Sequence, residues 1–565
     1  MNYARWAVIV NFLVLAAAPT AIASTVGWGT FGPFGASGEL VFSAFAILLP
    51  IALARTWGGV FLVNLPLLAL APAYAWHVLT YHSLPGDTAL ATVSGTNLGE
   101  VAGFLDIAHL WPFVFASAGV LAIYVFNAIW LRRIEFSPRY RRAFLYCAVP
   151  AIALAACLPV RGEDGRYAFN PRDGVVQSIL WSYPAGGVAT VVGSTEILLS
   201  ERRQYAERLP MGAHLVASDG VRETHILVIG ESARSDTFHL NGYARETTPA
   251  LEKIAGLVSY PNAYAPSNFT TSAVTMALTG VAPENYAEAY KHAGIVKAAQ
   301  DAGYYTAWLS NNARSFAAGL GAGFEHCVPT NDAYGATTTE FDRSWEPAAL
   351  DEVLLPCLQR ELDRPDLRKL IVLHTYGSHW DYLKRLPAAG FHFSGASREI
   401  AERRRAADQN SEHVDKDIYD DTILYTDSII ASVIEKASQI PGRVTVTYWS
   451  DHGESFSFLE GVAGHAGVRF SLAEAHVPVL FWANRQFVAD RPDRWANVVG
   501  HKDLLFRTDG MYSTLASIIG ITFDGVDPTQ DLTDVRYKPP PDRRDLTFRA
   551  WDRLVTLRAA VNWGK

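Results

Sequence analysis

The 565-residue sequence has little charge and little cysteine. Only 18% of its residues are charged, against about 25% in typical globular domains, so one part of the chain is expected to lie outside water. Four cysteines are too few for a disulfide-rich scaffold, and a net charge of −8 excludes a strongly basic nucleic-acid-binding protein. Hydrophobic residues make up 50% of the chain, which excludes a wholly disordered one.

Apolar runs without Asp, Glu, Lys or Arg are concentrated in the first 160 residues. They are Trp6–Ala23, Leu40–Ala54, Trp57–Tyr81, Leu110–Leu131 and Ala143–Val160. Their lengths approach the roughly 20 residues that a helix needs to cross a bilayer, so we predict about five spanning helices over residues 1–160. The small residues Ala21-Ile22-Ala23 leave a second interpretation of the first run open, a cleavable signal peptide.

Lys and Arg mark the cytoplasmic loops of membrane proteins. Here they precede the first run and lie between the second and third and the fourth and fifth, at Arg5, Arg55, Arg132, Arg133, Arg139, Arg141 and Arg142. The alternate segments, Ser24–Glu39 and His82–His109, contain neither residue type. The chain beyond residue 160 is therefore expected outside the cytoplasm.

One further apolar stretch, Val175–Leu199, would invert this topology if it crossed the membrane. It contains Gln177, Pro184 and Glu196, which suit a broken helix on the membrane surface better than a spanning helix. We therefore assign residues 161–222 to an interfacial or bridging linker.

Beyond about Val221 the composition is that of a globular α/β domain. Five continuous apolar runs predict strands buried on both faces, as in a parallel sheet. They are Ile226–Gly230, Tyr305–Ser310, Leu370–His374, Val444–Trp449 and Val477–Trp482. Ligands of such sheets bind at the carboxyl ends of the strands, so the residues after these runs are the candidate site.

Polar residues follow four of the predicted strands. Glu231 follows the first, Asn311 the second, the segment His374–His379 the third, and Asp451 with His452 the fourth. Carboxylates together with an imidazole suit zinc, and manganese less well. A lone Asp-His pair after a strand is more often a hydrogen-bonding pair, so both interpretations stay open at this point.

Several ordered motifs carry a resemblance to a known family. They are Ile229–Asp236 (IGESARSD), Leu240–Tyr243, Leu373–His379 (LHTYGSH), Tyr425–Asp427, Ser450–Glu454 (SDHGE) and His465. Together they resemble the membrane-anchored phosphoethanolamine transferases of the alkaline phosphatase and sulfatase-like superfamily. The resemblance implies a multi-span α-helical membrane domain and a catalytic α/β domain over residues 223–565, with a mainly parallel central sheet covered by helices. It also implies a bacterial inner-membrane enzyme whose catalytic domain lies in the periplasm.

The resemblance also implies a nucleophile and a zinc site. Thr270 matches the position of the family's nucleophile, and its neighbour Thr271 is the rival. The implied metal ligands are Glu231, Thr270, Asp451 and His452, with a second metal left open. A threonine hydroxyl is almost wholly protonated at neutral pH, and a bound metal supplies the missing acidity. His379 and His465 are expected beside the phosphoryl group, where histidine stabilises oxygens or protonates a leaving alkoxide.

Phosphatidylethanolamine is the implied donor, and a cell-envelope lipid or glycan is the implied acceptor. The protein is expected to be a monomer. Substrate contacts are predicted at Thr96, Glu100, His374 and Asn311. Each has an alternative, because Thr96 and Glu100 also fit a helix cap, Asn311 a turn and His374 a core position. Thr92 departs from the family, since many relatives have asparagine there.

The remaining features concern a possible disulfide and the reaction class. Cys327 and Cys357 are the only cysteines expected outside the membrane and hence the only candidate exported disulfide. The sulfatase signature, a Cys or Ser followed by Pro and Arg, is missing around Thr270, which disfavours sulfate ester hydrolysis. The alternatives to a phosphoethanolamine transferase are a phosphoglycerol transferase of the lipoteichoic acid synthase type and a catalytically dead membrane scaffold.

Overall fold

The computed structural model describes two compact units, one built chiefly from residues before 200 and the other chiefly from residues 200–558. The residues described are 2–17, 49–52, 54–66, 68, 111–139, 141–144, 146–147, 159–161, 167–169, 211–291, 293–311, 350–407, 412–460, 464–465 and 471–540. The predicted linker stretch Val175–Leu199 lies outside them.

The N-terminal unit contains helices α1 (Asn2–Phe12), α2 (Trp57–Val63) and α3 (Trp111–Leu131), with a π-helical turn at Leu13–Ala17 and a 3-10 turn at Leu49–Ala52. Its described part also contains a two-stranded antiparallel ribbon, β1 (Pro159–Arg161) and β2 (Tyr167–Phe169). Within the described residues, Phe113–Leu131 is the one helix long and apolar enough to cross a membrane.

Hydrogen bonds between polar side chains, and close packing at one glycine, hold these helices together. Asn127 on α3 donates to Asn11 Oδ1 at 3.1 Å, and the Tyr124 hydroxyl donates to the Phe61 carbonyl at 2.7 Å. Gly58 lies so close to α3 that a Cβ there would be 2.3 Å from the Ala128 carbonyl oxygen. Small residues and side-chain hydrogen bonds are typical of helix packing in membranes.

The predicted spans are thus only partly described. The fourth run, Leu110–Leu131, coincides with α3, and the described parts of the first and third runs are helical. The fifth run, Ala143–Val160, ends in strand β1 instead of continuing as helix to Val160. Most of the second and fifth runs lies outside the described residues, so five spans remain a prediction.

The second unit is built on a six-stranded mixed sheet with order β5-β10-β9-β4-β8-β7. Its strands are β4 (Glu223–Gly230), β5 (Val258–Tyr260), β7 (Tyr305–Ser310), β8 (Arg368–His374), β9 (Arg443–Ser450) and β10 (Val479–Ala483). Two small two-stranded sheets flank it, formed by β3 (His214–Leu215) with β12 (Ile521–Thr522) and by β6 (Ala263–Tyr264) with β11 (Phe506–Arg507).

The four strands β7, β8, β4 and β9 are parallel, whereas β10 and β5 each run antiparallel to their neighbour. The parallel direction predicted for Val477–Trp482 is therefore wrong. The described chain between β9 and β10 contains only short helices. Without a long crossover, β10 begins at the edge of the sheet where β9 ends and runs back beside it. A continuous apolar run reports burial on both faces and does not report strand direction.

Helices cover both faces of this sheet. The described helices of this unit are α4 (Thr270–Thr279), α5 (Ile295–Asp301), α6 (Leu354–Leu362), α7 (Arg398–Ala407), α8 (Glu412–Ser438), α9 (Ser457–Glu460), α10 (Leu472–Ala475), α11 (Arg485–Asp490), α12 (Pro492–Gly500) and α13 (Met511–Ile518). On β4, Leu227 and Ile229 face the core beneath α4, α5 and α13, while Ile226 and Val228 face the core beneath α6 and α8. The predicted covering of the sheet by helices is confirmed.

Candidate metal centre

The centre lies at the carboxyl edge of the sheet, where three parallel strands end beside one another. Gly230 at the end of β4 is paired with Ser450 at the end of β9, and Ile229 is paired with His374 at the end of β8. Glu231, Asp451 and His452 follow directly, and all three are buried. Register in the sheet thus brings together residues that are more than 200 positions apart in the chain.

Glu231, His452 and His465 each offer one ligand atom, and these atoms all lie within 4.8 Å of one another. Asp451 Oδ2 is 3.3 Å from His452 Nε2, and Glu231 Oε1 is 3.4 Å from the same nitrogen. Asp451 Oδ2 is buried without a hydrogen bond, which is costly for a carboxylate oxygen unless a cation binds it. The Glu231 and Asp451 carboxylates and the His452 imidazole form a donor set that fits zinc.

The hydrogen bonds of His452 define which of its nitrogens faces this space. Nδ1 donates to the Gly453 carbonyl at 2.8 Å, so Nε2 carries the lone pair. Burial lowers the pKa of His452, which keeps the ring neutral, the form that binds a metal. Burial and the neighbouring Asp451 raise the pKa of Glu231 well above its usual range. A bound dication would offset that charge repulsion.

Thr270 contributes a hydroxyl to the same space. It is the first residue of α4 and is half-buried. Its Oγ1 lies 3.2 Å from His452 Nε2 and 3.4 Å from each carboxylate oxygen of Glu231. At the amino end of a helix, the backbone dipole also favours negative charge on an oxygen or on a bound phosphate.

Two more histidines adjoin the centre. The His465 ring is 4.2 Å from the His452 ring and 5.4 Å from the His379 ring. Burial alone would lower the pKa of His465, but the Glu454 carboxylate, 3.1 Å from Nδ1, outweighs it and raises that pKa. Burial and the neighbouring His465 lower the pKa of His379 well below its usual range. The pair is therefore asymmetric, with His465 the better proton donor.

Asp351 supports the loop that backs Glu231, although no local pattern in the sequence points to it. Its carboxylate accepts from the backbone N–H of Tyr376 at 2.7 Å, from that of Gly377 at 2.8 Å and from Asn311 Nδ2 at 2.8 Å. Gly377 has a φ of +50°, and a Cβ there would lie 2.7 Å from the Glu231 carbonyl oxygen. Asn311 is thus linked through Asp351, by two successive hydrogen bonds, to the loop behind the centre.

His374, by contrast, lies within the core. Its side chain is fully buried at the end of β8, and its ring meets Trp308 edge-on at 6.2 Å. Burial lowers its pKa to about 4. This is the environment of a core histidine, and substrate contact by His374 stays a prediction.

Several predicted residues lie outside the described part of the chain. They are Thr92, Thr96, Glu100 and Cys327. Cys357 is disulfide-bonded, and its pairing with Cys327 remains a prediction.

The family model named Sulfatase matches residues 223–513, more than half of the chain. The chain belongs to the sulfatase family. The matched region contains each residue of the metal centre described above, from Glu231 to His465. Family membership agrees with the mixed sheet, the covering helices and the position of the centre at the strand ends.

Curated relatives and a solved structure extend this likeness. Phosphoethanolamine transferase EptC of Escherichia coli is 27% identical over 325 residues, which span 56% of this chain and about half, 54%, of that relative. Phosphoethanolamine transferase EptA of Salmonella typhimurium is 25% identical over 476 residues, 80% of each chain. The integral membrane protein lipooligosaccharide phosphoethanolamine transferase A of Neisseria meningitidis matches 94% of this chain and 97% of its own with a TM-score of 0.66 at 20% identity. That match shows a shared fold.

Proposed function

We propose that this protein is a metal-dependent phosphoethanolamine transferase that moves the headgroup of phosphatidylethanolamine to a lipid or glycan of the cell envelope. The observation that carries the proposal is the position of the Thr270 hydroxyl, within 3.4 Å of the Glu231 carboxylate and the His452 imidazole. The names of the EptA and EptC relatives support the choice of group transferred.

Glu231, Asp451 and His452 would hold a zinc ion, with Thr270 as a further ligand. When bound, the metal would lower the pKa of the Thr270 hydroxyl and offset charge on the phosphoryl oxygens. His452 is pre-set for this role, because its Nδ1 is engaged with the Gly453 carbonyl and its Nε2 faces Thr270. Zinc is favoured over manganese because imidazole is among the ligands.

In the first half of the reaction, the Thr270 hydroxyl releases its proton to solvent, and Oγ1 attacks the donor phosphorus as the alkoxide. The new bond joins this oxygen to phosphorus, and the bond from phosphorus to the glycerol oxygen breaks. His465, held by Glu454, donates a proton to the leaving oxygen, so that diacylglycerol departs. Thr270 then carries phosphoethanolamine.

In the second half, an acceptor hydroxyl attacks that phosphorus, and the bond from phosphorus to Thr270 Oγ1 breaks so that Thr270 leaves as the alkoxide. The proton of the acceptor hydroxyl passes to His379 and returns through solvent to His465, which restores the starting state. His379 Nδ1 donates to the Trp380 carbonyl at 2.6 Å, so its Nε2 is an acceptor for the proton of the incoming hydroxyl. The low pKa of His379 keeps this nitrogen unprotonated. Phosphate oxygens bound between His379 and His465 would also lie near the amino end of α4.

We further propose a multi-pass protein of the bacterial inner membrane, with the second unit in the periplasm and Thr96 and Glu100 near the donor headgroup. Anchoring the catalytic unit at the bilayer raises the effective concentration of a lipid donor. The exposed apolar side chains along α3, among them Phe115, Ile123 and Phe126, suit contact with lipid.

The test is to incubate the full-length protein with labelled phosphatidylethanolamine or labelled phosphatidylglycerol and to measure diacylglycerol. Release from phosphatidylethanolamine alone, lost with a chelator and restored by zinc, supports the proposal. Release from phosphatidylglycerol alone indicates the phosphoglycerol transferase. No turnover of either lipid and no bound zinc indicate the scaffold. Mass spectrometry of envelope fractions with and without the gene would then identify the acceptor.

A further inference from the structure

Ser232 contacts both buried carboxylates of the metal centre. Its backbone N–H donates to Asp451 Oδ1 at 3.0 Å, and its hydroxyl donates to Glu231 Oε1 at 3.0 Å. Asp451 Oδ1 also accepts from the His452 N–H at 2.7 Å. These bonds fix one oxygen of Asp451 and turn the other, Oδ2, toward His452 Nε2.

Ser232 makes these contacts from an uncommon backbone conformation. Its φ is +56°, in the left-handed region that residues other than glycine seldom adopt. Such a conformation persists only where the surroundings hold it in place. Because the N–H and the hydroxyl of Ser232 point to different carboxylates, a change in this φ would disturb both metal ligands together.

Tyr419 on α8 supplies the restraint. Its hydroxyl donates to the Ser232 carbonyl at 2.7 Å and accepts from the Arg234 N–H at 2.9 Å. The Tyr419 ring is fully buried and packs edge-on against Tyr382 and Phe456 at 5.3 and 5.4 Å. One hydroxyl on a rigidly packed ring thus closes the turn on both sides of Ala233.

We propose that Ser232 and Tyr419 are positioning residues for the metal. Tyr419 holds Ser232 in its left-handed conformation, and Ser232 aims the Glu231 and Asp451 carboxylates at the cation. This inference rests on the proposed function in one respect, that a metal binds between Glu231, Asp451 and His452. Hydrogen-bond partners of metal ligands typically contribute about 10-fold to 100-fold in metal affinity.

The experiment measures the zinc dissociation constant of the full-length protein in detergent by competition with a chromophoric chelator. Ser232→Ala and Tyr419→Phe are each expected to raise this constant by about 10-fold or more. The matched control is Tyr243→Phe, because the Tyr243 hydroxyl donates to Asp420 Oδ2 at 2.8 Å and accepts from Lys416 Nζ at 2.9 Å. Both partners lie on the helix of Tyr419, and neither is a residue of the metal centre. The control is expected to bind zinc as the wild type does.

A third variant separates the hydroxyl of Ser232 from its backbone. Ser232→Gly adopts a positive φ without strain but has no hydroxyl, so it is expected to lose as much affinity as Ser232→Ala. Wild-type affinity in Ser232→Gly would overturn the role of the hydroxyl.

The inference is overturned if Ser232→Ala and Tyr419→Phe bind zinc as tightly as the wild type, or if Tyr243→Phe is weakened equally. Thermal unfolding of the zinc-free proteins identifies a variant that does not fold, and the other variant then decides. A wild-type protein that binds no zinc would contradict the proposed function instead. The two failures are therefore distinguishable.

Discussion

Replacing Asp351 by asparagine tests how the loop behind Glu231 is held. Burial raises the pKa of Asp351 from 3.8 to about 6, and one pKa unit corresponds to about 1.4 kcal/mol. Ionising this carboxyl therefore costs about 3 kcal/mol in the folded state. Because the folded protein binds this proton more tightly, the stability from Asp351 is present near pH 4 and is lost as the pH rises through about 6.

The amide that replaces this carboxyl does not titrate, so the comparison depends on pH. In Asp351→Asn the amide nitrogen faces the Gly377 N–H, which Asp351 Oδ2 accepts at 2.8 Å, and a buried donor without an acceptor costs about 1–3 kcal/mol. We expect Asp351→Asn to be less stable than the wild type near pH 4 by about that amount. Near pH 7.5 the two should be about equally stable, because the variant avoids the buried charge.

The assay is thermal unfolding of the full-length protein in detergent at both pH values, together with diacylglycerol release. Asp427→Asn is the matched control, since Asp427 has a pKa raised to about 6 by burial and accepts the backbone N–H groups of Ala250 and Leu251. Both variants should show the same pH pattern, and only Asp351→Asn should slow transfer. A stability difference for Asp351→Asn that does not change with pH would refute the reasoning.

Two further variants test the site. Glu454→Gln removes the charge that raises the pKa of His465, so the loss of kcat at high pH should begin at a lower pH; an unchanged pH profile would show that His465 is not the proton donor. Gly377→Ala places a Cβ about 2.7 Å from the Glu231 carbonyl oxygen and should reduce transfer by about 100-fold, because it displaces a metal ligand. Gly242→Ala, which shares a positive φ but has nothing within 4 Å of its Cβ, should cost only about 1 kcal/mol of stability. Equal activity of the two glycine variants would contradict the close contact.

The strands show how far the sequence predicts this fold. The predicted strand Tyr305–Ser310 has the bounds of β7, and the predicted ends of the first and third strands coincide with Gly230 and His374. The structure begins β4 three residues earlier, at Glu223. Glu223 and His225 precede the predicted strand and are polar, but both are buried. Arg443 forms an ion pair with Glu223 at 2.7 Å, and His225 forms a hydrogen bond with Thr445 at 2.8 Å. Hydropathy does not report such pairing.

The sequence likewise predicts some residues of the candidate site and not others. Glu231, Asp451 and His452 are predicted as candidates because they lie shortly after apolar runs of the sequence, and the position of Thr270 is implied by the family resemblance. Asp351, Ser232 and Tyr419 were missed as supporting residues, because their partners lie far away in the chain, as in the 187 positions between Tyr419 and the Ser232 carbonyl. Long-range hydrogen bonds of this kind leave no local pattern in a sequence.

The most direct test of the central claim is to find the covalent intermediate on the protein. The full-length protein with bound zinc is mixed with phosphatidylethanolamine without acceptor, quenched in acid, digested and analysed by tandem mass spectrometry. We predict phosphoethanolamine on Thr270, its loss in Thr270→Ala with folding intact, and its retention in Thr271→Ala. Label on Thr271, or full transfer by Thr270→Ala, would contradict the account.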